Sequence, residues 1–324
     1  MAVGAGSRFP LDPVAGIRLG TACAGIRKPG RRDLVVLELA QGSCVAGSFT
    51  RNAFCAAPVT LARQYLEQAP CSVRYLLINT GNANAGTGAR GLADARLCCA
   101  ELARHAGVDA RSVLPFSTGV IGEPLPTGPL IDGIPAALAA LDENSWQAAA
   151  EGIMTTDTRP KGASRRVVCD GHQLTLSGIA KGAGMIRPDM ATMLAFVATD
   201  ARIPASVLDQ MLARAVADSF NCITVDGDTS TNDACMLIAT GRSEAPGFDD
   251  IDDPRVPALS AALRDLCIEL AQGIIRDAEG ATKFVTVQVG GGHDEAECRR
   301  VAYAVAESPL VKTALFARDR KSVV

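Results

Sequence analysis

Along residues 1–241, short apolar runs alternate with connections rich in glycine, asparagine and proline. LVVLEL (34–39) and RYLLINT (74–80) are bounded by turn formers and predict strands. QLTLSGIA (173–180) alternates with period 2, MLAFVA (193–198) reads as a buried strand, and CMLIATG (235–241) closes the strand-rich part. Between these lie helical patterns. ARLCCAELARHAG (95–107) ends at its glycine. SVLDQMLARAVADSF (206–220) carries Val207, Leu208, Met211, Leu212 and Val216 at helical spacing, and 258–276 does the same with Leu259, Leu263, Leu266, Cys267, Leu270 and Ile274. The pattern predicts an α/β fold in the broad sense, a layered α+β arrangement with mixed sheets. We expect a catalytic core over 1–241 and, after the acidic linker GFDDIDDPRVP (247–257), a C-terminal region over 242–324.

Composition narrows this. Hydrophobic residues make up 48% and aromatics only 4%, so the core must be built from Ala, Val, Leu and Ile. The net charge is −3 and no long basic run occurs, which argues against nucleic acid as a partner. The small basic cluster Arg27, Lys28, Arg31, Arg32 reads as a solvated loop. Eleven cysteines form no Cys-x-x-Cys pair, and Cys98 and Cys99 are adjacent, so reduced, buried thiols of a cytoplasmic protein are expected. The opening MAVGAGSRFPLDPVAG has no apolar core of a signal peptide, and no apolar run reaches ~20 residues, so neither secretion nor a membrane span is expected. His105, His172 and His293 lie apart from every polar motif. Asp226, Asp228 and Asp233 in SFNCITVDGDTSTNDA lack the glycine and glutamate of a calcium loop, so no metal is expected, and these carboxylates read as loop-ordering groups.

The candidate chemistry concentrates in KGAGMIRPDMATML (181–194). Gly182, Gly184, Arg187 and Pro188 predict a loop that runs into a strand, with Thr192 at the junction behind the small Ala191. A threonine hydroxyl is a weak nucleophile without an adjacent base. Cutting the chain between Ala191 and Thr192 supplies one, because the freed α-amine has a reference pKa of about 7.7–8.0. On spacing alone, an ordinary strand threonine competes with this reading. In LPFSTGVIGEPLP (114–126), Thr118 and Gly119 lie between prolines in a loop that could aim donors at one point, as an oxyanion hole requires. A simple structural turn is the competing reading there. Lys181, beside glycines of little bulk, could meet a substrate carboxylate.

The loop 181–194 resembles the signature of the ornithine acetyltransferase (glutamate N-acetyltransferase) family of arginine biosynthesis. LGTACAGIRKPGRRDLVVLELA, FTRNAFCAAPV, LLINTGNANAGTG, IMTTDTRPKGASRRV, SFNCITVDGDTSTNDA, EGATKFVTV and SPLVKTALF are similar to family blocks in family order, to about Phe316. The resemblance implies a self-cleaving N-terminal-nucleophile acyltransferase cut at Ala191/Thr192, whose two fragments associate as a heterotetramer. It implies Thr192 as nucleophile, Thr118 and Gly119 as oxyanion residues, and Thr155, Lys181, Thr192 and Glu279 as substrate contacts. Ala278 stands where the family usually has glycine. The implied reaction is acetyl transfer from N2-acetyl-L-ornithine to L-glutamate with no cofactor, acetyl-coenzyme A being a further donor in some members. After SPLVKTALF the chain reads ARDRKSVV rather than the family's Gly-x-Asp-Pro-Asn-Trp-Gly-Arg block, so a shortened member without the family's last substrate contacts is expected. An aminopeptidase or amidase on the same scaffold, and an inactive shortened member, stay open as alternatives.

Overall fold

Period-2 alternation in the strands decides the layering, because each strand must bury two different faces. The structure, a computed structural model, describes residues 2–187, 193–319 and 321. The strands are β1 (Ile17–Ala22), β2 (Leu34–Leu39), β3 (Cys44–Phe49), β4 (Tyr75–Asn82), β5 (Val113–Val120), β6 (Lys161–Cys169), β7 (His172–Lys181), β8 (Leu194–Thr199) and β9 (Ala234–Ala239). The α-helices are α1 (Ala57–Gln68), α2 (Gly88–Ala106), α3 (Thr127–Ala139), α4 (Trp146–Gly152), α5 (Ala205–Ala217), α6 (Val256–Arg276), α7 (Glu295–Ala306) and α8 (Pro309–Ala317).

One sheet has the order β1-β2-β4-β5 and the other β3-β9-β8-β7-β6. Both are mixed: β4–β5 and β8–β9 are parallel, and the remaining pairs are antiparallel. Val35, Leu37 and Leu39 point into a core shared with Leu194, Phe196, Met236 and Ile238, so the two sheets stack face to face. Phe116 and Phe196 meet edge to face across it, ring centroids 5.2 Å apart. The alternate residues Leu34 and Val36 face outward onto α2 and α3. On the far side, Leu176, Ala195 and Val197 face α5 and α6. The result is a helix–sheet–sheet–helix sandwich. Helix α6, beyond residue 241, shares the same core through Leu259, Leu263, Leu266, Cys267, Leu270 and Ile274. No helix among the described residues is long and apolar enough to cross a membrane.

Two expectations need correction. Thr118 and Gly119 are not in an irregular loop; they lie near the end of β5, which tolerates Pro115 because it is an edge strand and need not donate every ladder bond. KFVTVQV (283–289) has strand-type residues but joins no sheet among the described residues. The thiols are not all reduced: Cys44 at the start of β3 and Cys71 beyond α1 form a disulfide, Cα atoms 4.0 Å apart. The Val45 N–H donates to the Pro70 carbonyl at 3.0 Å, which draws the two segments together. Cys98, Cys99, Cys235 and Cys267 remain free and buried, and burial pushes each thiol up in pKa, so they behave as small apolar side chains.

Near one end of the sandwich, Lys161 is fully buried and donates to Asp157 Oδ1 at 2.6 Å and Asp277 Oδ2 at 2.7 Å. Asp277 caps α6 and also takes the N–H of Thr158 at 2.9 Å. This triad joins β6, the segment before it and the end of α6. Replacing the lysine would leave two buried carboxylates uncompensated, so Lys161→Met should lower stability by ~3–5 kcal/mol in urea denaturation. A loss below about 1 kcal/mol would show that the triad is energetically dispensable.

Candidate active site

The ends of two strands from different sheets converge here. Strand β5 runs parallel to β4 with Thr80 opposite Thr118 and Gly81 opposite Gly119, and a bulge follows at Asn82. Gly119 has φ +139°, and a Cβ there would lie 2.3 Å from the Gly81 carbonyl carbon and 2.5 Å from the Asn82 nitrogen. Both contacts are to backbone, so only glycine permits this approach. From the other sheet, β7 ends at Lys181. Its buried ammonium donates to Thr118 Oγ1 at 3.2 Å, linking the two sheets.

Asp157 holds the surroundings of this contact. Its Oδ1 accepts from Lys161 Nζ and, at 2.8 Å, from the Gly182 N–H, while Oδ2 accepts the Thr155 N–H at 3.0 Å. One carboxylate thus fixes both Thr155 and the residue after Lys181. Burial alone would raise its pKa. Lys181 and Lys161, helped by the Thr155 N–H, outweigh that and bring it from the ordinary 3.8 down to about 2. Burial pulls the Lys181 ammonium below its usual range, a drop that Asp157 partly offsets.

Thr118, Gly119, Thr155, Lys181 and Glu279 all line one cavity of ≈ 530 Å³. The Glu279 N–H donates to the Ala183 carbonyl at 2.8 Å, and a Cβ on Gly184 would meet Glu279 Oε2 at 2.9 Å, so the glycine makes room for that carboxylate. Asp226 accepts the N–H groups of Met185 at 2.7 Å and Ile186 at 3.0 Å, and thereby shapes the loop after β7. Ala191 and Thr192 lie outside the described residues. The residue that follows is placed: the Met193 N–H donates to Asp233 Oδ1 at 2.9 Å, and Leu194 pairs with Lys181 across β7–β8. Burial pushes the Asp233 carboxyl well above the usual range, against the opposing effect of the Met193 N–H.

Sequence reasoning missed several lining groups. Arg27, Lys28 and Arg31, read as a solvated loop, border the cavity together with Asp33. The signal was their place just before a strand that enters the core, since Asp33 adjoins β2 and holds the loop by accepting the Ala24 and Ile26 N–H groups, each at 2.6 Å. Asp157 and Lys161 were hidden within a polar run. No group of three or more metal-ligating side chains occurs among the described residues.

A model of the ArgJ family matches residues 18–321. Over 319 residues the chain is 58% identical to the arginine biosynthesis bifunctional protein ArgJ of Pseudomonas syringae pv. tomato, covering 98% of this chain and 78% of that protein. It is 57% identical over 319 residues to the protein of the same name from Pseudomonas fluorescens, again covering 98% and 78%. Among solved structures, the l-aminopeptidase d-ala-esterase/amidase of Ochrobactrum anthropi, a variant of the Ntn hydrolase fold, is similar with a TM-score of 0.53, covering 94% of this chain and 96% of that one. At 14% identity, that likeness is one of fold.

Asp157 also gives the site a pH signature. Its folded pKa is depressed, so its ionised form stabilises the fold above 3.8, and that contribution is lost as the pH falls through about 2. Urea denaturation across this window should show a decline on the order of 2 kcal/mol from this group. Asp157→Asn should be weaker at neutral pH and decline less. Parallel pH profiles for the two proteins would rule out the linkage.

Proposed function

The chain belongs to the ArgJ family, and from this we propose that it transfers an acetyl group from N2-acetyl-L-ornithine to L-glutamate through an ester on Thr192. What supports the reading most is the gathering of Thr118, Gly119, Thr155, Lys181 and Glu279 from separate segments around one cavity. Acetyl-coenzyme A is a second donor for glutamate in this proposal; the relatives' name, bifunctional, accords with more than one reaction.

In this reading Thr192 first acts on its own chain. Its Oγ attacks the Ala191 carbonyl, the peptide bond is exchanged for an ester as the Thr192 α-amine is released, and water hydrolyses that ester to the Ala191 carboxylate and the free Thr192 hydroxyl. The two fragments stay together and assemble as a heterotetramer. During turnover the α-amine takes the Oγ proton as Oγ attacks the acetyl carbonyl. Thr118 and Gly119 carry the tetrahedral oxyanion, with Lys181 bonded to the Thr118 hydroxyl. Collapse breaks the amide bond, and the proton goes to the departing α-amine of ornithine. Glutamate then attacks the acetyl ester with its own α-amine and restores the Thr192 hydroxyl. Bound amino acid must keep water from the ester, or acetate is lost.

Denaturing mass spectrometry of the purified protein should show two fragments that meet at Ala191/Thr192. Thr192→Ala should give one intact chain without transferase activity. Thr118→Val should be cut poorly and transfer about 10²–10³-fold more slowly, the usual cost of one oxyanion donor. An uncut wild-type chain that transfers acetyl normally would overturn the reading. So would release of free acetate in place of N-acetylglutamate.

A further inference from the structure

The cavity has two electrically different walls. On one, Glu279 sits against Gly184, and Asp226 is tied to the N–H groups of Met185 and Ile186. On the other stands the loop between β1 and β2 with Arg27, Lys28 and Arg31; Asp33 at its base also lines the cavity but is taken up by the Ala24 and Ile26 N–H groups, and Lys181, a further lining cation, is bonded to Thr118. That loop is fastened at several points. Asp33 holds two of its N–H groups, Arg31 donates to the carbonyls of Met154 at 2.6 Å and Thr155 at 3.2 Å, and the Arg27 Cβ would lie 2.8 Å from a Cβ on Gly81. Gly81 is opposite Gly119, so the cationic wall abuts the strands that carry the oxyanion residues.

The three cations are not equally occupied. Arg31 is spent on backbone carbonyls, and Arg27 pairs with Glu123 at 2.9 Å. Lys28 has no hydrogen bond or ion pair among the described residues, although its backbone belongs to this anchored loop. A free ammonium on a cavity wall is available to an anion.

Resting on the acetyl-transfer reading above, one chemical problem remains. Donor and acceptor use the cavity in turn and share an α-carboxylate, but their side chains end in opposite charges, an ammonium and a carboxylate. A wall of single sign would repel one of them. We infer that Lys28, steadied by Arg27 and the loop behind it, is the specificity residue for the acceptor and holds the side-chain carboxylate of glutamate. The donor's ammonium is served by the acidic wall instead.

Lys28→Ala tests this, because the side chain is exposed and its removal leaves the loop anchors in place. In steady-state transfer the KM for L-glutamate should rise about tenfold, the scale of one charge-assisted hydrogen bond in partial contact with water. The KM for N2-acetylornithine should change less than about twofold, and the preference for glutamate over glutamine should fall by the same tenfold. Lys28→Arg should recover most of it. Equal effects on donor and acceptor, or an unchanged glutamate-to-glutamine preference, would overturn the inference. Calorimetric titration with glutamate separates it from the function it rests on. Binding that weakens in Lys28→Ala, in a protein that transfers nothing, would sink the transfer reading and leave this assignment standing. Normal transfer with undiminished glutamate affinity would do the reverse.

Discussion

The site depends first on a carboxylate buried beside two lysines. Asp157 accepts from Lys161, from the backbone of Gly182 and from the backbone of Thr155. Each of those partners belongs to a different part of the cavity's support: β6, the end of β7 and the segment that approaches the Arg31 loop. Buried charges are costly unless paired and hydrogen-bonded, so the arrangement leaves little freedom to its members. The geometry around Lys181 and Thr155 is therefore set by electrostatics within the protein rather than by solvent.

A second constraint is steric. The β4 and β5 backbones approach at Gly81 and Gly119 more closely than any side chain would permit. That approach brings Thr118 within reach of Lys181 from the opposite sheet. The two constraints work from opposite sides of one opening: charge pairing positions the β7 end, and the absence of a Cβ at Gly119 positions the β5 end. The layered core behind them keeps both sheets in register, with Phe116 and Phe196 in edge-to-face contact between them. A two-walled cavity at such a junction suits ligands that share one end and differ at the other.

Much of the scaffold was legible because burial follows strand and helix periods. LVVLEL is β2 as read, Gly107 closes α2 in a left-handed conformation, and the apolar stripe of α6 is the stripe that enters the core. What escaped were features that period and composition do not encode. Pro115 suggested a loop, but its tolerance depends on β5 being an edge, which is a matter of topology. Lys161 and Lys181 would ordinarily be surface residues; Asp157 offsets the burial of both, and Asp277, which binds Lys161, lies 116 positions from it in the chain. Arg27 and Lys28 are exposed, as read, but the cavity they border together with Gly81 forms only when the β1–β2 loop meets β4, which spacing does not encode. The Cys44–Cys71 pair was likewise invisible to spacing, since a turn after α1 and the start of β3 create it.

In the proposed transfer, the fold, the charge network and the glycine contact would serve one requirement, which is to present an acyl carbonyl to a hydroxyl under fixed hydrogen-bond donors. The central claim is that this hydroxyl is the Thr192 Oγ. Brief incubation of the protein with N2-acetylornithine and no acceptor, followed by acid quench and peptide mapping by mass spectrometry, addresses it directly. The account predicts one acetyl group on the peptide that begins at Thr192, discharged when glutamate is added. An acetyl group carried by any other residue, or N-acetylglutamate formed with no acetylated peptide under single-turnover conditions, would contradict it.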